Sequence, residues 1–383
     1  MGQLLSTNCL TSTIMNTLSD ILLSAAGRFS SSPAVIEDGK CITYGDLVLR
    51  ARSFASFLSS RGIKKGDRVA IYLPNSIEFV TAVFGVSLAG AVSVPVNSAF
   101  KTEEVAFYLG HSGAKLIVTG DGLMNTALEA SAGGDAEAIL IKGNGAVWKY
   151  PECRSGEFVD STVSPDDEAI YLYSTGSTGK PKRVARTHFN LASLADNHTQ
   201  TVGWSCEDRV LFAVPISHTY AFGNYISSVK SGAAAVMTPE FNRQRVLDLL
   251  ERERITVFPA VPVMLDVLSR THTETPRDLS SLKLVISAGA PLQKHTFFKF
   301  HERFSICPRQ LYGSTETGVI SINLCGDDEI EKRFKSVGRP VKNVTVMVFD
   351  EEGCEVRAGV EGEIAVKSPS MTTGYYGLPE ETA

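Results

Sequence analysis

The sequence has no apolar run long enough to span a bilayer and no Cys-x-x-Cys pair. The first absence excludes a membrane-spanning helix. The seven cysteines (Cys9, Cys41, Cys153, Cys206, Cys307, Cys325 and Cys354) are scattered and odd in number. That excludes a cysteine zinc site and a disulfide framework, and it fits reduced thiols in a cytoplasmic protein. Basic charge is also in short supply. A net charge of −5 and a pI near 5.9 argue against a nucleic-acid binder. No basic amphipathic stretch suits a membrane surface. No lysine or arginine precedes Arg28, so neither a secretory leader nor a transit peptide is expected. Met1-Gly2-Gln3-Leu4-Leu5-Ser6 does fit the myristoylation pattern, which is short enough to arise by chance.

Known nucleotide loops are missing too. A P-loop needs Gly-Lys-Ser/Thr, and here Pro181 follows Gly179-Lys180, while Ser174 stands at the first glycine position. No Gly-x-Gly-x-x-Gly fingerprint follows a strand. Thr175 stands where a Gly-x-Ser-x-Gly elbow would have its first glycine. His111, His188, His198, His272, His295 and His301 form no metal-like spacing.

What is present is an ordinary globular composition, 43% hydrophobic and 21% charged, in 383 residues. That length exceeds one compact core and predicts several subdomains. Strand-like runs such as Val69–Leu73, Lys115–Thr119 and Ala138–Lys142 alternate with helical periodicity, as in 15–27 and Ile77–Leu88. Ala91–Val96 reads as a strand interrupted by Pro95, and Asn190 as the cap of a helix through Trp204. The alternation predicts βαβ units with mainly parallel sheets. Residues 143–165 read as a connection. After it the alternation resumes, with strands at Arg209–Val214, Ala233–Thr238, Ile255–Ala260, Leu284–Ser287 and Arg309–Tyr312. Near residue 335 the pattern changes. Val344–Phe349 and Gly362–Lys367, joined through Asp350-Glu351-Glu352-Gly353, predict an antiparallel or barrel-like piece.

Four stretches bear chemistry. The first, Ser174-Thr175-Gly176-Ser177-Thr178-Gly179-Lys180-Pro181-Lys182, offers hydroxyls, amides and ammonium groups on a glycine-rich backbone. That suits a polyphosphate, although Gly/Ser/Thr runs also serve as surface linkers. The second, Tyr312-Gly313-Ser314-Thr315-Glu316, sets a carboxylate and hydroxyls at a strand's carboxyl end. A glutamate there can hold Mg²⁺ beside phosphate oxygens, or it can be a solvated turn residue. The third, Ser287-Ala288-Gly289-Ala290-Pro291-Leu292, has small residues that permit approach by a flat ligand, or simply tight packing. The fourth is His218 in Pro215-Ile216-Ser217-His218-Thr219-Tyr220, able to orient a carboxylate or to be structural.

In order and spacing these four resemble the adenylate-forming superfamily of acyl- and aryl-CoA synthetases, firefly luciferases and peptide-synthetase adenylation domains. The resemblance also takes in Ile42–Leu47, Leu88–Asn97, Ser336-Val337-Gly338-Arg339-Pro340 and Gly362-Glu363-Ile364. It implies two stacked α/β subdomains with mainly parallel sheets (1–175 and 176–334) and a small, incomplete β-barrel-like subdomain (335–383). The activity implied is ATP-dependent conversion of a carboxylic acid to an acyl-adenylate with release of pyrophosphate. Transfer to coenzyme A or a carrier pantetheine then follows.

By the same resemblance Ser174, Thr175, Gly176, Ser177, Thr178, Gly179 and Lys182 cradle the phosphates. Thr315 contacts the α-phosphate and Glu316 holds Mg²⁺. Gly289, Ala290, Pro291 and Tyr312 flank the adenine, with Gly313 and Ser314 beside them. His218 lines the acyl pocket, with Tyr220, Phe222, Gly223, Ala288, Gly289, Gly313 and Val337. The catalytic set is His218, Lys182, Thr315 and Glu316.

Three departures from the family pattern stand out. Arg183 replaces the usual glycine after Pro-Lys, and Ser174-Thr175-Gly176 inverts the usual Thr-Ser-Gly. The chain also ends before the Thr-Gly-Asp motif and the mobile C-terminal domain with its lysine. The fragment is therefore expected to bind adenylate and to catalyse adenylation weakly. Ser217-His218-Thr219-Tyr220 has no acid where peptide-synthetase domains bind a substrate amine, so an aromatic or medium-chain acid without an α-amino group is expected. The alternatives are a nucleotide- or adenylate-binding module without catalysis, and an acyl-carrier-protein ligase.

Overall fold

Residues Val92–Val96 and Arg68–Tyr72 are short, apolar and rich in β-branched side chains, which suits strands covered on both faces. In the computed structural model, which describes residues 17–142, 161–175, 181–272 and 276–382, they pair in parallel at the centre of a sheet. The strands in chain order are β1 (Pro33–Glu37), β2 (Lys40–Thr43), β3 (Arg68–Tyr72), β4 (Val92–Val96), β5 (Ala114–Gly120), β6 (Glu137–Lys142), β7 (Glu168–Thr175), β8 (Pro181–Thr187) and β9 (Arg209–Phe212). They continue with β10 (Ala234–Met237), β11 (Val257–Ala260), β12 (Leu284–Ser287), β13 (Arg309–Ser314), β14 (Gly318–Ile322), β15 (Arg339–Pro340), β16 (Thr345–Phe349) and β17 (Glu363–Lys367).

Two large sheets result. One has six strands in the order β6-β5-β3-β4-β7-β8, parallel except for the β7–β8 hairpin. The other has nine, in the order β15-β14-β13-β12-β11-β9-β10-β1-β2, parallel through its middle and antiparallel at both ends. The mixed α/β architecture with mainly parallel sheets is the one the alternating pattern predicts.

Several details differ from the sequence expectation. Pro95 does not interrupt β4, and it sits in register opposite Ile71. Strand pairing crosses the expected boundary at 175/176, because β8 completes the first sheet and the β1–β2 hairpin joins the second. The helix after β8 is capped by Thr187, whose hydroxyl accepts from Asn190 N–H at 3.2 Å while the Asn190 carboxamide accepts from Thr187 N–H. Asn190 is thus the reciprocal partner in a capping box rather than the cap. In the 335–383 region the described strands β16 and β17 form a two-stranded antiparallel ribbon, not a closed barrel. Of the connection at 143–165, residues 143–160 lie outside the described residues.

Helices Leu18–Phe29, Tyr44–Ser60, Ile77–Leu88, His188–Val202 and Thr219–Ser231 fill the space between the sheets. Phe84 from one side meets Tyr225 from the other at 6.1 Å, and Tyr225 meets Phe212 of β9 at 5.8 Å. Removing a ring this deeply buried costs about 3–5 kcal/mol. Helices Thr102–Ser112 and Met124–Ser131 cover the outer face of the six-stranded sheet with a separate apolar cluster. Among the described residues no helix is long and apolar enough to cross a membrane.

Candidate active site

Ligands in open α/β sheets bind outside the carboxyl ends of the strands. Here the carboxyl ends of β4, β7, β9, β12 and β13 border two adjoining cavities. The larger, about 590 Å³, is lined by Ser174 and Lys182 on one wall and by Ser314, Thr315 and Glu316 on another. Asn97, Tyr108, Tyr173, Ser217, His218 and Tyr375 complete its polar lining. The smaller, about 320 Å³, is lined mostly by apolar and small residues, among them Leu194, Val214, Gly223, Val261, Ala288 and Val319. Tyr173, His218, Ser314 and Thr315 border both.

Local chemistry explains each position. Ser174 and Lys182 are cross-strand partners in the β7–β8 hairpin, so strand pairing brings them together. Lys182 Nζ is ion-paired with Glu381 and lies 4.9 Å from the centre of the Tyr375 ring. The Ser314 hydroxyl accepts from Glu316 N–H at 3.2 Å and Thr317 N–H at 3.1 Å, a local turn that presents Thr315 and Glu316. Thr372 N–H donates to the Glu316 carbonyl at 2.8 Å, and Tyr375 O–H donates to Glu316 Oε1 at 2.8 Å. Burial by itself would raise the Glu316 carboxyl, but hydrogen bonds led by Tyr375 hold it below the usual carboxylate range. Burial, with the Glu316 contact second, pushes the Tyr375 phenol up to about 12.

His218 stands at the junction. Asn75 braces the turn before it, donating to the Phe212 and Val214 carbonyls at 3.1 and 3.0 Å and accepting from Ile216 N–H at 2.8 Å. Asn97 Nδ2 faces His218 Nε2 at 3.4 Å, and Asn97 Oδ1 accepts from Ala99 N–H at 3.0 Å. Burial lowers the imidazole below its ordinary value, so it is neutral at pH 7. Tyr220 lines the smaller cavity, with its hydroxyl donating to the Ile286 carbonyl at 3.1 Å.

The sequence-derived set divides accordingly. Ser174, Lys182, His218, Ser314, Thr315 and Glu316 meet at the larger cavity, and His218, Tyr220, Gly223, Ala288, Gly289 and Gly313 at the smaller. Phe222 and Val337 are not pocket walls. Phe222 is 1% exposed because its place on the helix turns it into the core, and Val337 stands 40% exposed outside both cavities. Ala290, Pro291 and Tyr312 are exposed and border neither cavity. Gly176, Ser177, Thr178, Gly179 and Lys180 lie outside the described residues, as does the Thr175 side chain.

Arg183 borders neither cavity. Its guanidinium lies between the rings of Tyr171 and Tyr376, 4.5 and 3.0 Å from their centres, and donates to the His111 carbonyl at 3.1 Å. Asn97, Tyr173 and Tyr375 also line the cavities, and Asn75 and Arg186 bond to backbone beside them, without a local sequence signal that marks them. Among the described residues no three His, Cys, Asp or Glu side chains cluster as metal ligands.

A model of the family described as AMP-binding enzyme matches residues 22–376. The long-chain-fatty-acid–CoA ligase FadD13 of Mycobacterium tuberculosis is 30% identical over 343 residues, 89% of this chain and 68% of that protein. The 4-coumarate–CoA ligase 1 of Narcissus pseudonarcissus is 30% identical over 375 residues, 93% of this chain and 68% of that protein. The chain thus spans about two thirds of the length of these relatives. Among solved structures, the N-terminal domain of FACL13 from Mycobacterium tuberculosis superposes with a TM-score of 0.85 at 27% identity, covering 95% of this chain and 92% of that one.

Proposed function

The chain belongs to the AMP-binding enzyme family, and from that premise we propose that it activates a carboxylic acid with ATP for transfer to coenzyme A. The observation that carries this reading is the junction of a polar, charged cavity with an apolar one at His218 and Thr315. A triphosphate fits the first and an acyl tail the second. The relatives named above are a long-chain-fatty-acid–CoA ligase and a 4-coumarate–CoA ligase; the second agrees with an aromatic acid lacking an α-amino group, and neither name speaks for a medium chain.

In the first step a carboxylate oxygen of the acid bonds to the α-phosphorus of ATP, and the bond to the β-phosphate oxygen breaks. Acyl-adenylate and pyrophosphate result. In the second step the thiol of coenzyme A attacks the acyl carbon, loses its proton and releases AMP. Phosphoryl chemistry of this kind depends on positioning and charge neutralisation. Lys182 and Ser174 receive the outer phosphates, where Lys182 exchanges Glu381 for phosphate. Thr315 contacts the α-phosphate. Neutral His218 lines the seat of the reacting carboxylate without adding a fixed charge. The adenine is placed against Gly289 and Gly313, which also border the acyl cavity, with Ala290, Pro291 and Tyr312 on the exposed surface outside both cavities.

Mg²⁺ fits the residues present. Glu316 is a carboxylate held ionised in the wall of the cavity that Lys182 also lines, a donor that suits an ion drawing its other oxygens from phosphate and water. When bound, such an ion neutralises developing charge on the phosphates. The division into three subdomains, a carrier pantetheine as the alternative acceptor, and a cytoplasmic setting belong to the same proposal. Acid-dependent exchange of labelled pyrophosphate into ATP tests the first step. Exchange that requires a monocarboxylic acid supports the reading, and a protein that binds neither Mg·ATP nor any acid of the panel overturns it.

A further inference from the structure

Among the described residues Arg186 heads the fully buried side chains by volume, and it has no solvent exposure. Its Nη1 donates to two backbone carbonyls, Thr315 at 3.0 Å and Glu316 at 2.9 Å. Nε and Nη2 meet no acceptor among the described residues. Burial brings the guanidinium down to about 10, which leaves it charged at neutral pH. A buried cation whose burial is offset only by the through-space charge of Glu316 is expensive to keep. Packing alone would be served as well by an apolar side chain of the same length.

The surroundings are shaped for it. Lys182, Val184 and Arg186 alternate onto one face of β8, and Arg183 and Ala185 take the other. Gly318, at φ +76°, follows the turn that carries Thr315 and Glu316. A Cβ there would stand 2.9 Å from Arg186 Nη2 and 2.7 Å from Leu194. The glycine is the space the guanidinium occupies. Arg186 thus joins the strand that bears Lys182, in one sheet, to the turn that bears Glu316, in the other.

We propose that Arg186 is a positioning residue for the nucleotide side of the site, fixing the Thr315–Glu316 backbone against β8 and supplying a permanent positive field behind the phosphate seat. This rests on the reading of the larger cavity as the nucleotide site. Its action falls mainly on the nucleotide, which carries the greater charge, although Thr315 borders both cavities and Gly318 and Leu194, beside the guanidinium, line the smaller.

Calorimetric titration separates this from a purely structural role. The probes are Mg²⁺ with α,β-methylene-ATP for the larger cavity and 3-phenylpropanoate for the smaller. Arg186→Met removes charge and donors at similar length. It weakens nucleotide binding by about tenfold or more, as loss of charge-assisted bonds implies, and leaves 3-phenylpropanoate affinity within about twofold. Arg186→Lys recovers part of the loss. Unchanged nucleotide affinity in folded Arg186→Met, or equal loss of both ligands, overturns the proposal. If Arg186→Met does not fold, Arg186→Lys carries the test: an intermediate, nucleotide-only loss supports the role, and wild-type affinity contradicts it. A wild-type protein that binds neither probe overturns the proposed function and this assignment with it.

Discussion

The two cavities differ in charge more than in size. The larger carries Lys182 and Glu316 in its wall, and the smaller has no Asp, Glu, Lys or Arg among its lining residues. Each composition follows from what the occupant needs. A polyphosphate must trade hydration for matched charge and hydrogen bonds. An apolar tail gains about 25 cal/mol per Å² removed from water, and a buried charge beside it would erode that gain. The boundary between them is held by groups that are polar but uncharged: the hydroxyls of Ser314 and Thr315, and a neutral His218.

Lys182→Ala is the strongest way to break this division. It removes the one lysine among the described residues of the cavity walls, and acid-dependent pyrophosphate exchange falls by about 10²–10³-fold, as for loss of a positioned transition-state donor. Binding of an acid to the smaller cavity, read by calorimetry, is unchanged.

The next effect sharpens the comparison by separating the site from the fold. His188 and His198 are buried, and burial pulls both down to about 4 from an ordinary 6.5. The unfolded chain therefore takes up protons first as pH falls. Their contribution to stability is complete above about 6.5 and is lost as pH drops toward 4, on the order of 3 kcal/mol per histidine. Urea midpoints measured across that window decline, and His198→Phe makes the decline shallower. Glu316 and His218 are both lowered from their ordinary values, so at neutral pH the first is ionised and the second neutral.

The smallest effect comes from filling the apolar side. A Cβ on Gly223 would lie 3.1 Å from Leu194, so Gly223→Leu intrudes on the smaller cavity. Affinity for 3-phenylpropanoate drops by about tenfold, the scale of a few lost methylene contacts. Binding of Mg²⁺ with α,β-methylene-ATP is unaffected.

The sequence discloses whatever depends on local periodicity. Buried parallel strands such as Leu284–Ser287 appear at the bounds their apolar run suggests. The Asp38-Gly39 turn of the β1–β2 hairpin was a readable signal, but its membership in the second sheet was not, since its partner β10 lies some two hundred residues on. The site follows the same rule. Lys182, His218 and Glu316 stand in recognisable local motifs. Arg186 reaches its carbonyl partners across 129 and 130 residues, Tyr375 reaches Glu316 across 59, and Asn97 reaches His218 across 121. Such pairings depend on how two sheets face each other, which no local pattern encodes. Phe222 shows the converse. It stands four residues after His218, and its helical phase sends it into the core.

A bipartite site makes one measurement decisive. Calorimetry compares AMP, 3-phenylpropanoate and a non-hydrolysable sulfamoyl adenylate that links the two. If the cavities are halves of one site, the linked compound binds at least about 100-fold tighter than either half, at one per chain, as joining two fragments at matched spacing requires. A linked compound that binds no tighter than its better half would contradict the joining of the two cavities at His218.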